Sequence, residues 1–353
     1  MTTSSRLLGA LKALVWTIAP ASAADFYQDK TVEIIIPGPV GGGPAESARV
    51  FSDFLTKHTA GSPKFVIRAM PGGAGVQALN YLAEIAKPDG KSLLWGPIQF
   101  TGALVGGPGY RYDPGTFEVI GTSSLVYVVL ANAALGKGIK SPADFLSTPE
   151  FNFGGLGRGR SIDFLARSSF DLLGLKYKYV LGYSGQPEIA LALARKEIDV
   201  SITGHTGYVS LYENQMVKTG AAMPLFYHSP IDPKTGEPML AKDGAYPKGT
   251  QHFIDYVKAT GKSFTGPGWE AYKWAITYET WPSWFVAPKG FPGEPLADLR
   301  DGYAKVIADP EFADTWRKRF NEDPAFITYG KAQDIQKAFR NISPEALEIL
   351  KQM

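Results

Sequence analysis

The chain contains no cysteine among its 353 residues. Without a thiol there can be no disulfide framework, no thiolate nucleophile and no cysteine-ligated metal site. A lipoprotein is excluded too, because its lipid is carried by a cysteine. Stability must therefore come from an apolar core, and the hydrophobic share of 44% is ordinary for a globular protein.

The chain also has few histidines and a small net charge. The formal net charge is +2, without the basic stripe that a nucleic-acid partner would require. The four histidines are too scattered to form the i,i+4 pair of a metal site; they are His58, His205, His228 and His252. We expect no metal, no cofactor and no nucleic-acid partner.

Familiar catalytic motifs are missing. The glycine loop at Gly41 lacks the Lys-Ser/Thr of a phosphate-binding P-loop, and no Gly-x-Ser-x-Gly nucleophile elbow occurs. Gly73, Gly75 and Ala78 formally fit a dinucleotide fingerprint. The acidic residue that should follow a second strand is not there, since Asp89 lies in a Pro-Asp-Gly turn. We therefore expect no enzyme.

Long apolar runs are absent except at the N-terminus. Arg6 precedes an apolar run, Leu7–Ala19, interrupted by Lys12 and followed by Ala-Ser-Ala. A membrane span needs roughly 20 apolar residues, and this run is shorter. The pattern predicts a signal peptide over residues 1–24, cleaved after Ala23 or Ala24, and a soluble protein in the periplasm.

Glycine and proline are abundant, and they mark the stretch Val32–Arg49. Ile34–Ile36 is a β-branched run typical of a strand covered on both faces. Prolines stop the strand, Gly41–Gly43 allow left-handed backbone, and Pro44 suits a first helical turn. Amides of such a loop beside a helix start attract an anion, although the loop could also be a tight turn alone.

A second loop of this kind, Met70–Gly75, follows the apolar strand near Phe65–Ile67. Pro37-x-Pro39-x-Gly-Gly, this loop and Pro88-Asp89-Gly90 together resemble the signature of the periplasmic substrate-binding receptors of tripartite tricarboxylate transporters, the Bug receptors. The resemblance extends in weaker form over almost the whole mature chain. It implies that ligand is held, mainly through backbone amides and ordered water, by Pro39, Val40, Gly41, Gly42, Gly73, Ala74 and Gly75.

The resemblance also marks later loops. Gln99 and Thr101 match a third loop of the first domain, and the stretch from Gly155 to Ser161 matches a glycine loop of the second. By the same comparison, we expect the second domain's side of the ligand cleft to be lined by Ser184, Thr203 and His205. His205 could equally be a neutral histidine bonded to the backbone at a helix start.

Arg158 and Arg160 break a local rule, because cations sit poorly near a helix N-terminus. A bound carboxylate would relieve that conflict, and arginine can hold one bidentately. Both could instead face solvent or the membrane partner. Ala45 stands where the family often has aspartate, which disfavours an amino-acid ligand and favours a plain carboxylate.

Alternating strand and helix patterns predict an α/β fold with mostly parallel sheets. We expect a two-domain clam-shell of the periplasmic-binding-protein type, type II-like, with the ligand between its domains. The first domain is predicted over residues 25–123 and 228–353, and the second over 124–227. The stretch His228–Pro267 is interpreted as irregular, either a surface excursion or a flap.

The function that follows is capture of a small organic carboxylate and delivery to the permease of a tripartite tricarboxylate-type transporter. The receptor is expected to be a monomer. The alternatives are an exported sensory receptor domain, or an exported enzyme using the same cleft for a phosphorylated ligand.

Overall fold

A computed structural model describes residues 26–38, 43–157, 160–183, 185–232, 235–238, 249–261, 263–320 and 323–352. The predicted signal peptide lies outside this set. Among the described residues, no helix has both the length and the apolar character needed to cross a bilayer.

In the described part of the chain, twelve strands form two sheets. They are β1 (Thr31–Ile36), β2 (Lys64–Ala69), β3 (Ser92–Gly96), β4 (Glu118–Ser123), β5 (Tyr127–Asn132), β6 (Phe151–Gly154), β7 (Tyr177–Val180), β8 (Val200–Gly204), β9 (Ala222–His228), β10 (Gln251–His252), β11 (Ser283–Ala287) and β12 (Phe326–Thr328). The first sheet has the order β12-β4-β11-β3-β1-β2, and the second has the order β10-β9-β5-β8-β6-β7.

Within the same described ranges, twelve helices of α or mixed type accompany the sheets. They are α1 (Gly43–His58), α2 (Val76–Glu84), α3 (Phe100–Val105), α4 (Ser161–Leu173), α5 (Gln186–Ala194), α6 (His205–Gly207, continuing as a π-helix over Tyr208–Val217), α7 (Phe253–Ala259), α8 (Pro267–Tyr278), α9 (Gly293–Ala308), α10 (Pro310–Phe320), α11 (Tyr329–Ala338) and α12 (Pro344–Lys351). Short 3-10 turns occur at Gly73–Gly75, Pro114–Thr116 and Pro142–Ser147.

Both sheets are mixed. In the first, β1 pairs in parallel with β2 and β3, whereas β11 and β12 add antiparallel pairs around β4. In the second, β6 pairs in parallel with β7 and β8, and β5 is antiparallel to β8 and β9. The predicted α/β fold with two sheets is confirmed. Its βαβ parts are parallel, and the strands that pair from more distant segments add the antiparallel pairs.

The chain crosses from the first sheet to the second between Ser123, the last residue of β4, and Tyr127, the first residue of β5. On the way back, β10 pairs with β9 in the second sheet. The division into a first domain over residues 25–123 and 228–353 and a second over 124–227 stays a prediction. The stretch expected to be irregular contains β10 and α7, and its residues 233–234, 239–248 and 262 lie outside the described part.

Three apolar clusters hold the two lobes. One lies wholly in the first lobe around Phe51 and Trp95, and another in the second around Tyr212. The third runs from Leu94 of the first sheet to Phe153 of the second, and it includes helix α8. The aromatic side chains of α8 and the turn after it, Tyr272, Trp274 and Trp281, are buried there, in agreement with core packing.

Candidate functional site

A cavity of about 370 Å³ lies between the two lobes. Its walls come from the segment after β3, the starts of β5 and α4, the turn after α8 and the end of α12. The lining residues are Pro97, Ile98, Gln99, Thr101, Gly102, Val105, Tyr110, Tyr127, Leu156, Arg160, Ser161, Ile162, Tyr278, Glu279, Trp281, Pro282, Leu350 and Lys351. The size suits a small organic molecule.

A larger cavity, of about 640 Å³, lies away from this site. It is bordered by α8, α11 and the residues around Ile231, and it contains none of the predicted site residues. We therefore take the cavity between the lobes as the candidate site.

Only the start of the first glycine loop, up to Gly38, lies among the described residues. Pro39, Val40, Gly41 and Gly42 lie outside the described residues. Pro37 packs between two other loops of the first lobe: a Cβ at Gly96 would lie 2.4 Å from its Cδ, and a Cβ at Gly75 would lie 3.0 Å from its Cβ. A Cβ at Gly96 would overlap the Pro37 ring, so glycine is required there.

The second glycine loop is a 3-10 turn over Gly73–Gly75 that leads into α2. Gly73 and Gly75 have φ of +52° and +100°, which L side chains rarely adopt. A Cβ at Gly75 would lie 3.7 Å from Gln99 Nε2. The second loop, the start of the first loop and Gln99 are thus neighbours. Gly73 and Gly75 do not line the cavity between the lobes, and contact of this loop with a ligand stays a prediction.

Gln99 and Thr101 line the cavity from the first lobe. The side-chain oxygen of Gln99 accepts a hydrogen bond of 2.6 Å from the Tyr110 hydroxyl. Burial raises the pKa of Tyr110, and the charge of Glu279 raises it further, so this phenol remains a donor at neutral pH. Gln99 and Tyr110 thus place a side-chain amide next to an aromatic ring on the first lobe's side of the cavity.

Glu279 bridges the two lobes. Its Oε1 accepts hydrogen bonds from the Thr101 amide at 2.9 Å and the Thr101 hydroxyl at 2.5 Å. Its Oε2 accepts one from the Ser161 hydroxyl at 2.5 Å. Thr101 belongs to the first turn of α3, and Ser161 begins α4 of the other lobe. The polar groups expected to hold a ligand are therefore bonded to a carboxylate of the protein itself.

The third glycine loop is organised by Asp163, which is buried in the first turn of α4. Its Oδ2 accepts hydrogen bonds from the Tyr179 hydroxyl at 2.6 Å and the Gly157 amide at 2.8 Å. Burial raises the pKa of Asp163, while these bonds and the charge of Arg160 oppose the rise. A Cβ at Gly155 would lie 2.6 Å from Asp163 Oδ2, so glycine is required there.

Arg160 and Ser161 line the cavity, whereas Arg158 lies outside the described residues. The unfavourable position of a cation at a helix start is relieved in part by Asp163, whose charge interacts with Arg160. A bound anion is thus not the only explanation for an arginine here.

Two further residues predicted on the second lobe, Thr203 and His205, lie deeper. Thr203 and His205 are buried and lie outside the cavity lining, at the end of β8 behind Tyr127. The His205 amide donates to the Val126 carbonyl oxygen at 2.9 Å. Ser184 lies outside the described residues. Direct contact between these three residues and a ligand stays a prediction.

Sequence reasoning missed Glu279 and Asp163. Asp163 had a local signal, because an acidic residue in the first turn of a helix after a glycine loop favours bonding to that loop. Glu279 had none, since its partners are 178 and 118 residues away in sequence. Within the described part of the chain, no group of three or more His, Asp and Glu side chains could hold a metal ion.

The two lobes, their mixed sheets and the cavity between them define a solute-binding protein fold of the periplasmic type, as predicted. Comparison with solved structures agrees. A TctC solute-binding protein from Polaromonas, solved without ligand, superposes with a TM-score of 0.67 at 17% identity, covering 93% of this chain and all of the other.

Two proteins from Rhodopseudomonas palustris are also similar. MatC, solved with bound malate, has a TM-score of 0.55 at 18% identity over 91% of this chain and 98% of its own. A second, solved with adipate, has a TM-score of 0.58 at 20% identity over 92% and 96%. The resemblance to the tripartite tricarboxylate transporter receptors is thus confirmed for the fold. No protein-family model matches the chain, and no curated protein is significantly similar to it in sequence.

Proposed function

We propose that this protein is an exported solute-binding receptor, a divergent member of the Bug group, that closes its two lobes on a small organic carboxylate. The observation that carries the proposal is the cavity to which the Gln99–Thr101 segment of one lobe and the Arg160–Ser161 segment of the other both contribute. Similar folds have been solved with malate and with adipate. A cavity of about 370 Å³ accommodates acids of that size.

Binding would occur without covalent chemistry. Arg160 would attract the ligand's carboxylate, and the glycine loops of the first lobe would donate backbone amides. Closing the lobes excludes water, and a higher affinity of the closed form drives the motion. The receptor would act in the periplasm after removal of residues 1–24, as a monomer, and pass its ligand to a tripartite tricarboxylate-type permease.

Isothermal titration of the purified protein against di- and tricarboxylates and aromatic acids tests this function. We expect saturable binding of at least one acid and none of its uncharged amide, for example succinate against succinamide. A folded sample that gives no heat with any organic acid would contradict the proposal.

Two other functions remain distinguishable by experiment. An exported enzyme would turn over a substrate in the purified state. A sensory receptor would leave uptake of the labelled ligand intact in a deletion strain while abolishing a transcriptional response. Loss of uptake in that strain is the result expected for transport.

A further inference from the structure

Among the described residues, the donors to the carboxylate of Glu279 are neutral. They are one amide and two hydroxyls, from Thr101 and Ser161, and they make three hydrogen bonds. A carboxylate offers about four acceptor positions, so one position on Oε2 is left for a further donor. Glu279 is partly exposed and lines the cavity, so that position is within reach of a ligand.

No positive side chain balances this charge among the described residues. Arg160 and Lys351 line the same cavity, but neither forms an ion pair with Glu279. Lys351 is instead bonded to Glu348 at 2.6 Å. Neutral donors stabilise a carboxylate without cancelling its charge, so the cavity retains a negative centre at the junction of the lobes.

This arrangement is unfavourable for an anionic group next to Glu279. The hydroxyls of Thr101 and Ser161 already donate to Glu279, so they are not available to a second carboxylate. Two carboxylates at contact distance also repel each other. A positively charged ligand group with N–H donors needs no donor from these hydroxyls and is attracted by the Glu279 carboxylate rather than repelled.

The neighbouring surface suits a cation as well. Tyr110, Tyr127 and Trp281 contribute aromatic rings to the same cavity. Aromatic faces attract ammonium groups, and a nearby carboxylate strengthens that preference. Arg160, on the second lobe, supplies the opposite charge for a carboxylate.

We propose that Glu279 receives the ammonium group of a zwitterionic ligand, so that the preferred solute is an amino-carboxylic acid rather than a plain dicarboxylate. The proposal rests on the carboxylate-receptor function above and specifies its ligand class. Ala45 cannot supply a counter-charge from the first loop, and Glu279 provides one from the opposite end of the chain.

Titration with matched pairs of acids tests the assignment. Aspartate against succinate, and glutamate against glutarate, differ only by the amino group. The wild-type protein should bind the amino member of a pair about tenfold more tightly or better, because a charged hydrogen bond forms only with it. In Glu279→Gln, which keeps an acceptor for Thr101 but loses the one for Ser161, both members of a pair lose the affinity that closure of the lobes contributes, and the preference for the amino member should fall about tenfold.

Glu270→Gln is the matched control, since Glu270 lies on the same helix, bonds Ser343 and is not part of this cavity. It should keep the wild-type preference. Tighter binding of the plain acids by the wild type, or an unchanged ratio in Glu279→Gln, would overturn the assignment and leave the receptor function standing. Binding of neither kind of acid by the folded wild-type protein would overturn both.

Discussion

Two buried histidines illustrate how single residues set the pH range of this fold. His228 is fully buried, and its Nδ1 is hydrogen-bonded to the Tyr272 hydroxyl at 2.9 Å. His252 is also buried and caps α7 by accepting a hydrogen bond of 3.2 Å from the Ile254 amide. Both therefore act as neutral imidazoles.

Burial lowers the pKa of His228 well below its usual value and lowers that of His252 to about 4. Below a pH of about 6.5 the unfolded chain takes up protons that the folded chain does not, so stability falls as pH falls. At pH 5 each histidine should cost up to about 2 kcal/mol of unfolding free energy relative to pH 7.5. The pKa of Asp309, lowered to about 2 chiefly by its hydrogen bond to His58, affects stability only at lower pH.

We predict that His252→Asn reduces this acid loss by about half, since asparagine keeps the helix-capping acceptor but does not titrate. Urea unfolding at pH 7.5 and pH 5 measures the difference. The control is Ser343→Asn, a comparable change at the N-cap of α12 that removes no titrating group; it should retain the full loss. An undiminished loss in His252→Asn would show that His252 is not one of the groups responsible.

At the scale of elements, the two lobes meet through the starts of α3 and α4. Each helix follows a central strand of its own sheet, β3 or β6, and each has a first-turn hydroxyl bonded to Glu279 after α8. Moving the lobes apart would therefore break at least one hydrogen bond of Glu279 in the turn after α8.

We predict that Ser161→Ala shifts the protein toward the open form. Loss of one hydrogen bond to a charged group should cost about 1.5 kcal/mol, roughly a tenfold change in the closed-to-open ratio. Because the chain has no cysteine, labels can be placed through Lys87→Cys and Lys176→Cys, one on the surface of each lobe, and their separation measured by single-molecule fluorescence.

Ser168→Ala is the control, since Ser168 lies on the same helix but outside the cavity between the lobes. It should leave the distance distribution unchanged. Equal distributions for Ser161→Ala and the unsubstituted labelled protein would mean that the Glu279 bridge does not hold the lobes together.

For the whole molecule, the apolar core decides how the lobes unfold. One cluster is continuous from the first sheet to the second through α8, and it buries Trp274, Trp281 and Phe339 between the lobes. Breaking either lobe exposes part of this shared core, so the free energies of the two lobes are coupled.

We predict a single thermal transition, with calorimetric and van't Hoff enthalpies in a ratio near one. A bound ligand should raise the midpoint of that same transition, because it binds only the folded state. Differential scanning calorimetry with and without ligand measures both. Two resolved transitions, of which ligand moves only one, would show that the lobes unfold independently.

Local patterns were sufficient for most of the fold. The β-branched run at Ile34–Ile36, its prolines and the helix through His58 are fixed by neighbours in sequence, and the structure has them as β1 and α1. The stretch interpreted as irregular lacked such a pattern, so α7 was missed. The return of the chain to the first sheet through Trp284–Ala287 was predicted and is β11, whereas β12 was not predicted, because its pairing partner β4 is far away in the chain.

The sequence by itself therefore determined two α/β lobes, the glycine loops at strand ends and the absence of cysteine chemistry, since these depend on short-range periodicity and residue type. Only the tertiary structure decided which distant side chains line the cavity, Glu279 above all. Glu279 reaches Thr101 across 178 residues and Ser161 across 118. No short-range pattern encodes such a meeting, because it depends on how the two lobes pack around α8.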